Sequence, residues 1–473
     1  MAVITPGPAA PGAQAPGVDV RTITRKMGLG AVIGIIFFSV SGGPYGLEDT
    51  IGQSGAGLGL LLIIVVPLIW SLPTSLMVAE LATMMPVQGG YYQWVKTAMG
   101  PFWGFLVAWW AWVASWVDLA IYPVLFVDFS AYFVPELASN AWLRWIVCIV
   151  VIWGLAGVNM LGSSVVGDSS KVFLVIVLAP FVLVTVIGLF KITQSPISPF
   201  TADGIGIGPA AGAGLFVIMW NYMGWDGLST VAGEIDNPRR TYPKALAITI
   251  PLITLIYLLP TIVSLSVVGS TNVEWTAGAY NVVAESVAGK WLGVLMTIGA
   301  LVSAIGLFSA WLLSYSRLPF ALADDGYLPK GLSKLHPTRG TPIASIVMAS
   351  AICSVAVVGP FQTLVAIDVA VYACALMLEF VALIVMRRKY PDMNRPFRVP
   401  GGTIGLFLMI FFPFLVVITA VYYQVLDVGP VQGLGWAGIA LATGPIAYLI
   451  LRPFKARKGV DRSVDLATGE VVG

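Results

Sequence analysis

Apolar runs of about 20 residues recur along the chain, separated by short polar stretches. A run of this length forms a helix that crosses a hydrocarbon core of about 30 Å. The pattern therefore predicts one membrane domain over residues 26–452. Its predicted spans are 28–53, 58–84, 101–127, 141–161, 170–191, 211–233, 242–269, 289–314, 341–358, 362–386, 403–425 and 431–451.

The first predicted span is interrupted near its middle by SGGP at residues 41–44, and Glu48 and Asp49 follow. In a helix interior Gly costs about 1 kcal/mol and Pro about 3 kcal/mol. A carboxylate near the bilayer centre costs roughly 2.5–3.5 kcal/mol. Lipid cannot pair the backbone groups that such a break exposes, so we expect them to line a cavity or a ligand. Pro44 is predicted to be the first residue of the restarting helix.

The sixth span carries a second interruption at Met223 and Gly224. We expect Asp226 to cap an inner half-helix by accepting from the N–H of Ser229. Because five is odd, spans one to five and six to ten run in opposite directions. The two breaks therefore predict inverted repeats over about 28–191 and 211–386, followed by accessory helices over 403–451, and this arrangement is typical of secondary transporters.

Composition and charge agree with this picture. A chain with 58% hydrophobic and only 10% charged residues cannot cover a soluble fold, so the lipid bilayer is the predicted surrounding. With a cytoplasmic N-terminus, all 25 Lys and Arg residues except Arg144, Lys191 and Lys290 fall on one side. This asymmetry predicts a multi-pass protein of the cell (plasma) membrane with both termini cytoplasmic. Residues 1–25 are a predicted disordered tail and 453–473 a second cytoplasmic tail.

The chain shows no pattern of an enzyme, a metal site or a nucleic-acid partner. His336 is the only histidine and lies in a basic loop. Cys148, Cys353 and Cys374 lie in apolar spans without metal-ligand spacing. We therefore predict no catalytic residue, no cofactor and no metal. The net charge of +2 comes from topology signals and does not indicate nucleic acid.

Several segments resemble the amino acid–polyamine–organocation superfamily, and within it the plant and protozoan polyamine-uptake branch. They are 41–49 (SGGPYGLED), 118–128 (DLAIYPVLFVD), 220–234 (WNYMGWDGLSTVAGE), 378–380 (LEF) and 395–400 (RPFRVP). The resemblance covers about residues 25–425. It implies an all-α membrane fold of the leucine-transporter type, with a 5+5 inverted repeat, broken helices 1 and 6, and two accessory helices, which makes twelve spans.

The breaks and the resemblance together select candidate site residues. Substrate contact is predicted for Ser41, Gly42, Gly43, Tyr45, Glu48, Asp118, Tyr122, Trp220, Asn221, Tyr222, Trp225 and Asp226. Proton coupling is predicted for Glu48, Asp226 or Glu379.

Structural alternatives stay open for several of these residues. Asp118 could be a neutral acid bonded to Tyr122, and Glu379 could pair with Arg387, two helical turns later. Glu80 and Glu234 are predicted to form ion pairs with basic loop residues. Ser303 and Ser309 are the candidate ligands if sodium is the coupling ion.

The acids predicted to lie deep in the membrane have no Lys or Arg at the same depth. Buried acids without partners take up protons or bind cations. We therefore expect proton-coupled uptake of a cationic amine, such as the polyamines putrescine or spermidine. An amino-acid permease or antiporter of the same fold is the first alternative, and a substrate sensor or a channel is the second.

Overall fold

The computed structural model of the protein describes residues 27–202, 204–357, 361–428, 430–458, 463–464 and 471–472. About four fifths of these residues are helical. The helices are α1 (Leu29–Val40), α2 (Glu48–Ser54), α3 (Ala56–Val66), α4 (Leu72–Met84), α5 (Gly90–Met99), α6 (Pro101–Ser130), α7 (Ala141–Leu161), α8 (Ser163–Gly188), α9 (Ile207–Asn221), α10 (Pro238–Val268), α11 (Ala279–Ala288), α12 (Lys290–Tyr315), α13 (Arg317–Asp324), α14 (Ile343–Ala356), α15 (Phe361–Lys389), α16 (Gly402–Val428) and α17 (Pro430–Lys458). Two short strands, β1 (Ser463–Val464) and β2 (Val471–Val472), pair antiparallel.

Nine helical segments of the described chain are long and apolar enough to cross a membrane. Three further apolar helices are shorter, namely Leu29–Val40, Ile207–Asn221 and Ile343–Ala356. The fourth predicted span coincides with α7, whereas α8 begins at Ser163, seven residues before the predicted start at 170. Its first turns carry Ser and Asp side chains, which hydropathy does not count although the helix continues through them.

The first break is confirmed, but the role predicted for Pro44 is wrong. α1 ends at Val40 and α2 begins at Glu48, so a seven-residue non-helical segment separates them. Pro44 lies in a turn closed by a hydrogen bond of 3.0 Å from the N–H of Leu47 to its carbonyl. Gly46 follows with a φ of +88°, which no right-handed helix contains. The helix therefore restarts only after Gly46.

The second break is also confirmed, and the inner half-helix is not. α9 ends at Asn221, and the chain continues as two 3-10 turns, Gly227–Thr230 and Ala232–Glu234. The N–H of Ser229 donates to the main-chain carbonyl of Asp226 at 2.8 Å, so the predicted side-chain cap is wrong. The Asp226 carboxyl instead accepts from the hydroxyl of Tyr372 on α15, which draws it away from its own turn.

The predicted tails fall largely outside the described residues, including all of 1–25. α17 runs to Lys458 and so exceeds the predicted span 431–451. Its last turns are basic, and a helix extends beyond the apolar stretch that hydropathy detects.

The packing brings both breaks to the middle of the bundle. α6 packs against α5, α12 and α15, while α1 packs against α8, α10 and α12. α9 packs against α2 and α3 and also contacts α15. Side chains from α6, α12 and α15 therefore surround the ends of α1 and α9.

Candidate functional site

A small cavity lies where the two breaks meet. Five predicted site residues line it, namely Ser41, Asp118, Tyr122, Trp220 and Asn221. Seven lining residues were not predicted, namely Ser39, Val40, Met223, Leu307, Trp311, Tyr315 and Asp368. The cavity is thus built by α1, α6, α12, α15 and the end of α9.

Two buried aspartates face this cavity. Asp118 on α6 is 2% exposed and Asp368 on α15 is 1% exposed. The Tyr122 hydroxyl donates to Asp118 Oδ1 at 2.7 Å, which is the bond that the structural alternative for Asp118 describes. Asp118 Oδ2 and Asp368 Oδ1 have no hydrogen-bond partner among the described residues. Each aspartate therefore keeps one carboxyl oxygen available to a ligand.

Aromatic rings form the walls around the two aspartates. Tyr122 and Trp220 lie nearly parallel, with ring centroids 6.5 Å apart and planes 23° apart. On α12, Trp311 stacks on Tyr315 with centroids 4.5 Å apart and planes 14° apart. Aromatic faces attract cations, and no Lys or Arg is among the residues that the structure shows lining the cavity. The lining therefore suits a positively charged ligand.

Gly42 and Gly43 of the first break lie outside the cavity lining and pack tightly against neighbouring helices. The Gly42 carbonyl accepts a short hydrogen bond from the Ser303 hydroxyl on α12. A Cβ at residue 42 would lie 2.6 Å from Leu307 Cδ1, and one at residue 43 would lie 2.8 Å from Val177 Cγ1. Both glycines are needed for backbone approach as well as for their positive φ angles.

Glu48 and Tyr45 lie on the other side of the same break. Glu48 is fully buried, and its Oε2 accepts from the N–H of Gly46 at 2.6 Å. Its Oε1 has no hydrogen-bond partner in the part of the chain that the structure describes. The Tyr45 hydroxyl donates to the Met296 carbonyl at 2.8 Å and so ties the break to α12. Neither side chain is part of the cavity lining.

Tyr222 and Trp225 also point away from the cavity. The Tyr222 hydroxyl donates to the Ile63 carbonyl at 3.1 Å, and Trp225 Nε1 donates to the Tyr222 carbonyl at 2.9 Å. Asn221 is the residue that connects the breaks, because its Nδ2 donates to the Gly46 carbonyl at 3.4 Å. The bonds to the carbonyls of Tyr222 and Gly46 pair backbone groups that the breaks would leave unpaired.

A second acidic group lies beside the cavity, at the second break. Asp226 accepts from the Tyr372 hydroxyl, and Glu379 lies close enough for its carboxyl to interact with that of Asp226. Glu379 Oε2 lacks a hydrogen-bond partner among the described residues. The alternative pairing of Glu379 with Arg387 is wrong, since Arg387 Nε donates to Glu80 at 2.8 Å.

Buried ion pairs connect the loops that carry most of the basic residues. Glu80 pairs with Arg387, and Glu234 pairs with Arg317 at 3.1 Å, as predicted for both glutamates. Lys96 pairs with Asp325 at 2.5 Å. Arg395 lies 3.5 Å from Glu80, and burial lowers the pKa of this arginine while the Glu80 carboxylate opposes the shift. These pairs join α4 to α15 and the second break to α13.

Asp368 is the main site residue that sequence reasoning missed. It lies in the tenth apolar stretch, six residues after the predicted start at 362 and eleven before Glu379. An isolated acid at that depth is the same signal that selected Glu379 and Asp118. It was not selected because no recognised motif surrounds it.

Comparison with known proteins gives one consistent result. The model of the family described as amino acid permease matches residues 26–440. A probable polyamine transporter of Arabidopsis thaliana is 35% identical over 409 residues, which are 86% of this chain and 81% of that protein. Polyamine transporter PUT1 of Oryza sativa subsp. japonica is 34% identical over 429 residues, 91% of this chain and 80% of that protein.

A bacterial relative shares less of its sequence. The serine/threonine exchanger SteT of Bacillus subtilis (strain 168) is 27% identical over 344 residues, which are 70% of this chain and 76% of that protein. The family match and the many apolar helices lead to the same conclusion. The chain belongs to the amino acid permease family and is a multi-pass membrane transporter.

Proposed function

We propose that this transporter takes up a cationic amine, and that its substrate is a polyamine such as putrescine or spermidine. One observation carries the proposal: Asp118 and Asp368 each present an unbonded carboxyl oxygen to an aromatic cavity that has no basic lining residue in the described chain. The names of the plant relatives, which are polyamine transporters, support the same substrate class.

An ammonium group placed between the two aspartates would relieve their mutual repulsion. The two carboxyls are near enough to interact, and like charges at one site disfavour ionisation unless a cation separates them. The faces of Trp220 and Trp311 would add cation–π attraction of about 0.5–2 kcal/mol. The second ammonium of a diamine would then lie toward the backbone of Ser41, Asn221 and Met223, which line the cavity. In this arrangement Glu48 maintains the first break through Gly46.

The architecture that we propose has twelve spans arranged as a 5+5 inverted repeat with two accessory helices. The nine long apolar segments and three shorter apolar helices support that count. We also propose that both termini are cytoplasmic and that the protein lies in the cell membrane. In that orientation the ion pairs Glu80–Arg387 and Glu234–Arg317 close the cytoplasmic side of the site.

Protons are the coupling ion that we propose, with Asp226 and Glu379 as the acids that carry them and Glu48 as a further candidate. These carboxyls are buried, and no Lys or Arg forms an ion pair with any of them in the described chain. Sodium would need several oxygen ligands, and the Ser303 hydroxyl is already bonded to the Gly42 carbonyl. The middle of α8 near Val177 is apolar and offers no further ligand.

An amino-acid permease or antiporter is the second candidate function. The observation in its favour is the similarity to a serine/threonine exchanger. The α-ammonium of an amino acid fits the same two aspartates, and its carboxylate would bind the exposed backbone N–H groups of the breaks. A sensor or a channel would share the cavity without saturable, gradient-driven uptake.

The test is uptake of labelled putrescine into proteoliposomes that contain the purified protein. Competition by unlabelled putrescine, arginine and leucine is measured with and without an inward proton gradient. We expect saturable uptake that putrescine and spermidine inhibit at much lower concentration than leucine. Uptake of leucine without inhibition by any amine would replace the polyamine assignment with the amino-acid permease. Linear, unsaturable flux would indicate a channel.

A further inference from the structure

Three functional side chains share one face of α15. Asp368, Tyr372 and Glu379 are spaced by four and seven residues, so they project from the same side of the helix. All three are buried, with exposures of 1%, 3% and 1%. Asp368 reaches the cavity and Glu379 lies next to Asp226. Tyr372 therefore stands between the cavity and a second pair of acids.

The Tyr372 hydroxyl makes two hydrogen bonds at the second break. It donates to Asp226 Oδ1 and accepts from the backbone N–H of Gly224 at 3.2 Å. Gly224 is next to Met223, which lines the cavity. A single hydroxyl thus joins a titratable carboxyl to the backbone that shapes the substrate cavity.

Among the described residues, three tyrosine phenols face the Asp226–Glu379 pair. Tyr91 comes from α5, Tyr242 from α10 and Tyr372 from α15. The nearest arginines of the neighbouring ion pairs, Arg387 and Arg317, are bonded to Glu80 and Glu234. Two adjacent carboxyls without a cation cannot both be charged at low cost. The pair therefore holds at least one proton and has room for a second.

We propose that Tyr372 is a positioning residue that couples proton binding by Asp226 and Glu379 to the conformation of the second break. The proposal rests on the proton-coupled uptake put forward above. With one proton on the pair, ionised Asp226 accepts a charge-assisted hydrogen bond from Tyr372. When a second proton binds, Asp226 becomes neutral and that bond loses about half of its strength.

The weakened bond allows the Tyr372 hydroxyl to move away from Asp226. The N–H of Gly224, which donates to that hydroxyl, then loses its acceptor. Tyr372 keeps its own proton throughout. One proton binds to the acid pair from one side of the membrane and one proton leaves the pair toward the other, so the cycle balances. The substrate cavity would therefore change shape with each proton that passes, which is what coupling requires.

The test separates substrate exchange from proton-driven accumulation in proteoliposomes. Exchange of labelled for unlabelled substrate is measured at equal pH on both sides. Accumulation is measured under an inward proton gradient, together with acidification of the lumen by a trapped pH-sensitive dye. Tyr372→Phe should keep exchange within about threefold of the wild type and lose accumulation by about tenfold or more, in the range of measured coupling energies.

Tyr242→Phe is the matched control. Tyr242 is buried and faces the same acids, and its hydroxyl has no hydrogen-bond partner in the described chain. It should retain exchange, accumulation and the dye signal. Asp226→Asn provides a second variant, which fixes residue 226 in a neutral form, so proton-driven accumulation should fall as it does in Tyr372→Phe.

Two results for Tyr372→Phe would overturn the proposal. One is proton-driven accumulation of wild-type size in Tyr372→Phe. The other is an equal loss of exchange and accumulation, which would make Tyr372 purely structural. The substrate assignment is tested separately, because leucine replaces putrescine in every assay if the wild type accumulates only leucine. A wild type whose accumulation ignores the proton gradient would contradict the coupling role as well.

Discussion

Gly224 lies directly against the main-chain carbonyl of Ser39, so the second break touches the last turn of α1 through bare backbone. A Cβ on residue 224 would lie 2.2 Å from that oxygen and 2.6 Å from Trp311 Cζ2. Gly224 also has a φ of +93°, where a side chain is strained. This close approach and this positive φ occur at the edge of the cavity, because Ser39 and Trp311 line it.

We therefore expect Gly224→Ala to abolish uptake, since the methyl group would separate the second break from the last turn of α1. The variant should still be inserted in the membrane, because the change affects one contact. The measurement is initial uptake in proteoliposomes, with the amount of protein matched by quantitative blotting. Gly100→Ala is the control, as Gly100 has a φ of +96° and no atom within 4 Å of its added Cβ. Equal activity of the two variants would show that the contact with Ser39 is not needed.

Binding of a positively charged substrate should depend on the cavity aspartates, Asp118 and Asp368. Asp118→Asn or Asp368→Asn should raise the apparent KM for putrescine at least about tenfold, which corresponds to about 1.4 kcal/mol. Inhibition by a neutral amino acid should change much less. Asp168→Asn serves as the control, because Asp168 forms an exposed pair with Lys171, 2.7 Å away. An unchanged KM in both cavity variants would remove these acids from the site.

Glu48→Gln should behave differently from the aspartate variants. Glu48 accepts from Gly46 at 2.6 Å and does not line the cavity. Loss of its charge should therefore lower the uptake of putrescine, arginine and leucine by similar factors. The same competition assay decides the matter. A selective loss of amine binding in Glu48→Gln would instead make Glu48 the ammonium ligand, as the sequence alone predicts.

The buried ion pair of Glu234 and Arg317 should contribute strongly to the thermal stability of the protein. Arg317→Gln would leave a buried carboxylate with only the Gln88 amide, 3.2 Å away, and such losses typically cost about 3–5 kcal/mol. We expect a clear drop in Tm in detergent micelles and a partial recovery in the double variant with Glu234→Gln. Arg144→Gln breaks the half-buried pair with Asp128 and should lower Tm less than Arg317→Gln does. An equal decrease of Tm in Arg317→Gln and Arg144→Gln would contradict this prediction.

The coupling ion can be distinguished without any mutation. If protons drive uptake, dissipating an inward proton gradient should suppress accumulation, while replacing sodium by choline should leave it unchanged. Ser303→Ala should then reduce uptake only by loosening the Gly42 carbonyl. A strict sodium requirement that is lost in Ser303→Ala would overturn the proton assignment.

The sequence by itself determined where the chain is apolar enough to be helical and where it breaks. Both interruptions, at 41–47 and after Asn221, follow from Gly and Pro, whose backbone preferences act locally. Side-chain partners a few residues apart, such as Tyr122 with Asp118, follow from helical spacing. The five predicted cavity residues lie close to those breaks or on the motif of α6.

Only the tertiary structure decided which acids meet. Asp118 and Asp368 are 250 positions apart, and they share a cavity because α6 packs against α15. In the packed bundle Arg387 forms its ion pair with Glu80 and not with Glu379. The Glu48 carboxylate accepts from the N–H of Gly46. A helical side chain points in a direction set by the rotation of its helix against its neighbours, and that rotation depends on the packing of the whole bundle. The local sequence therefore identifies the candidate site residues, and the packing of the helices determines which of them come together.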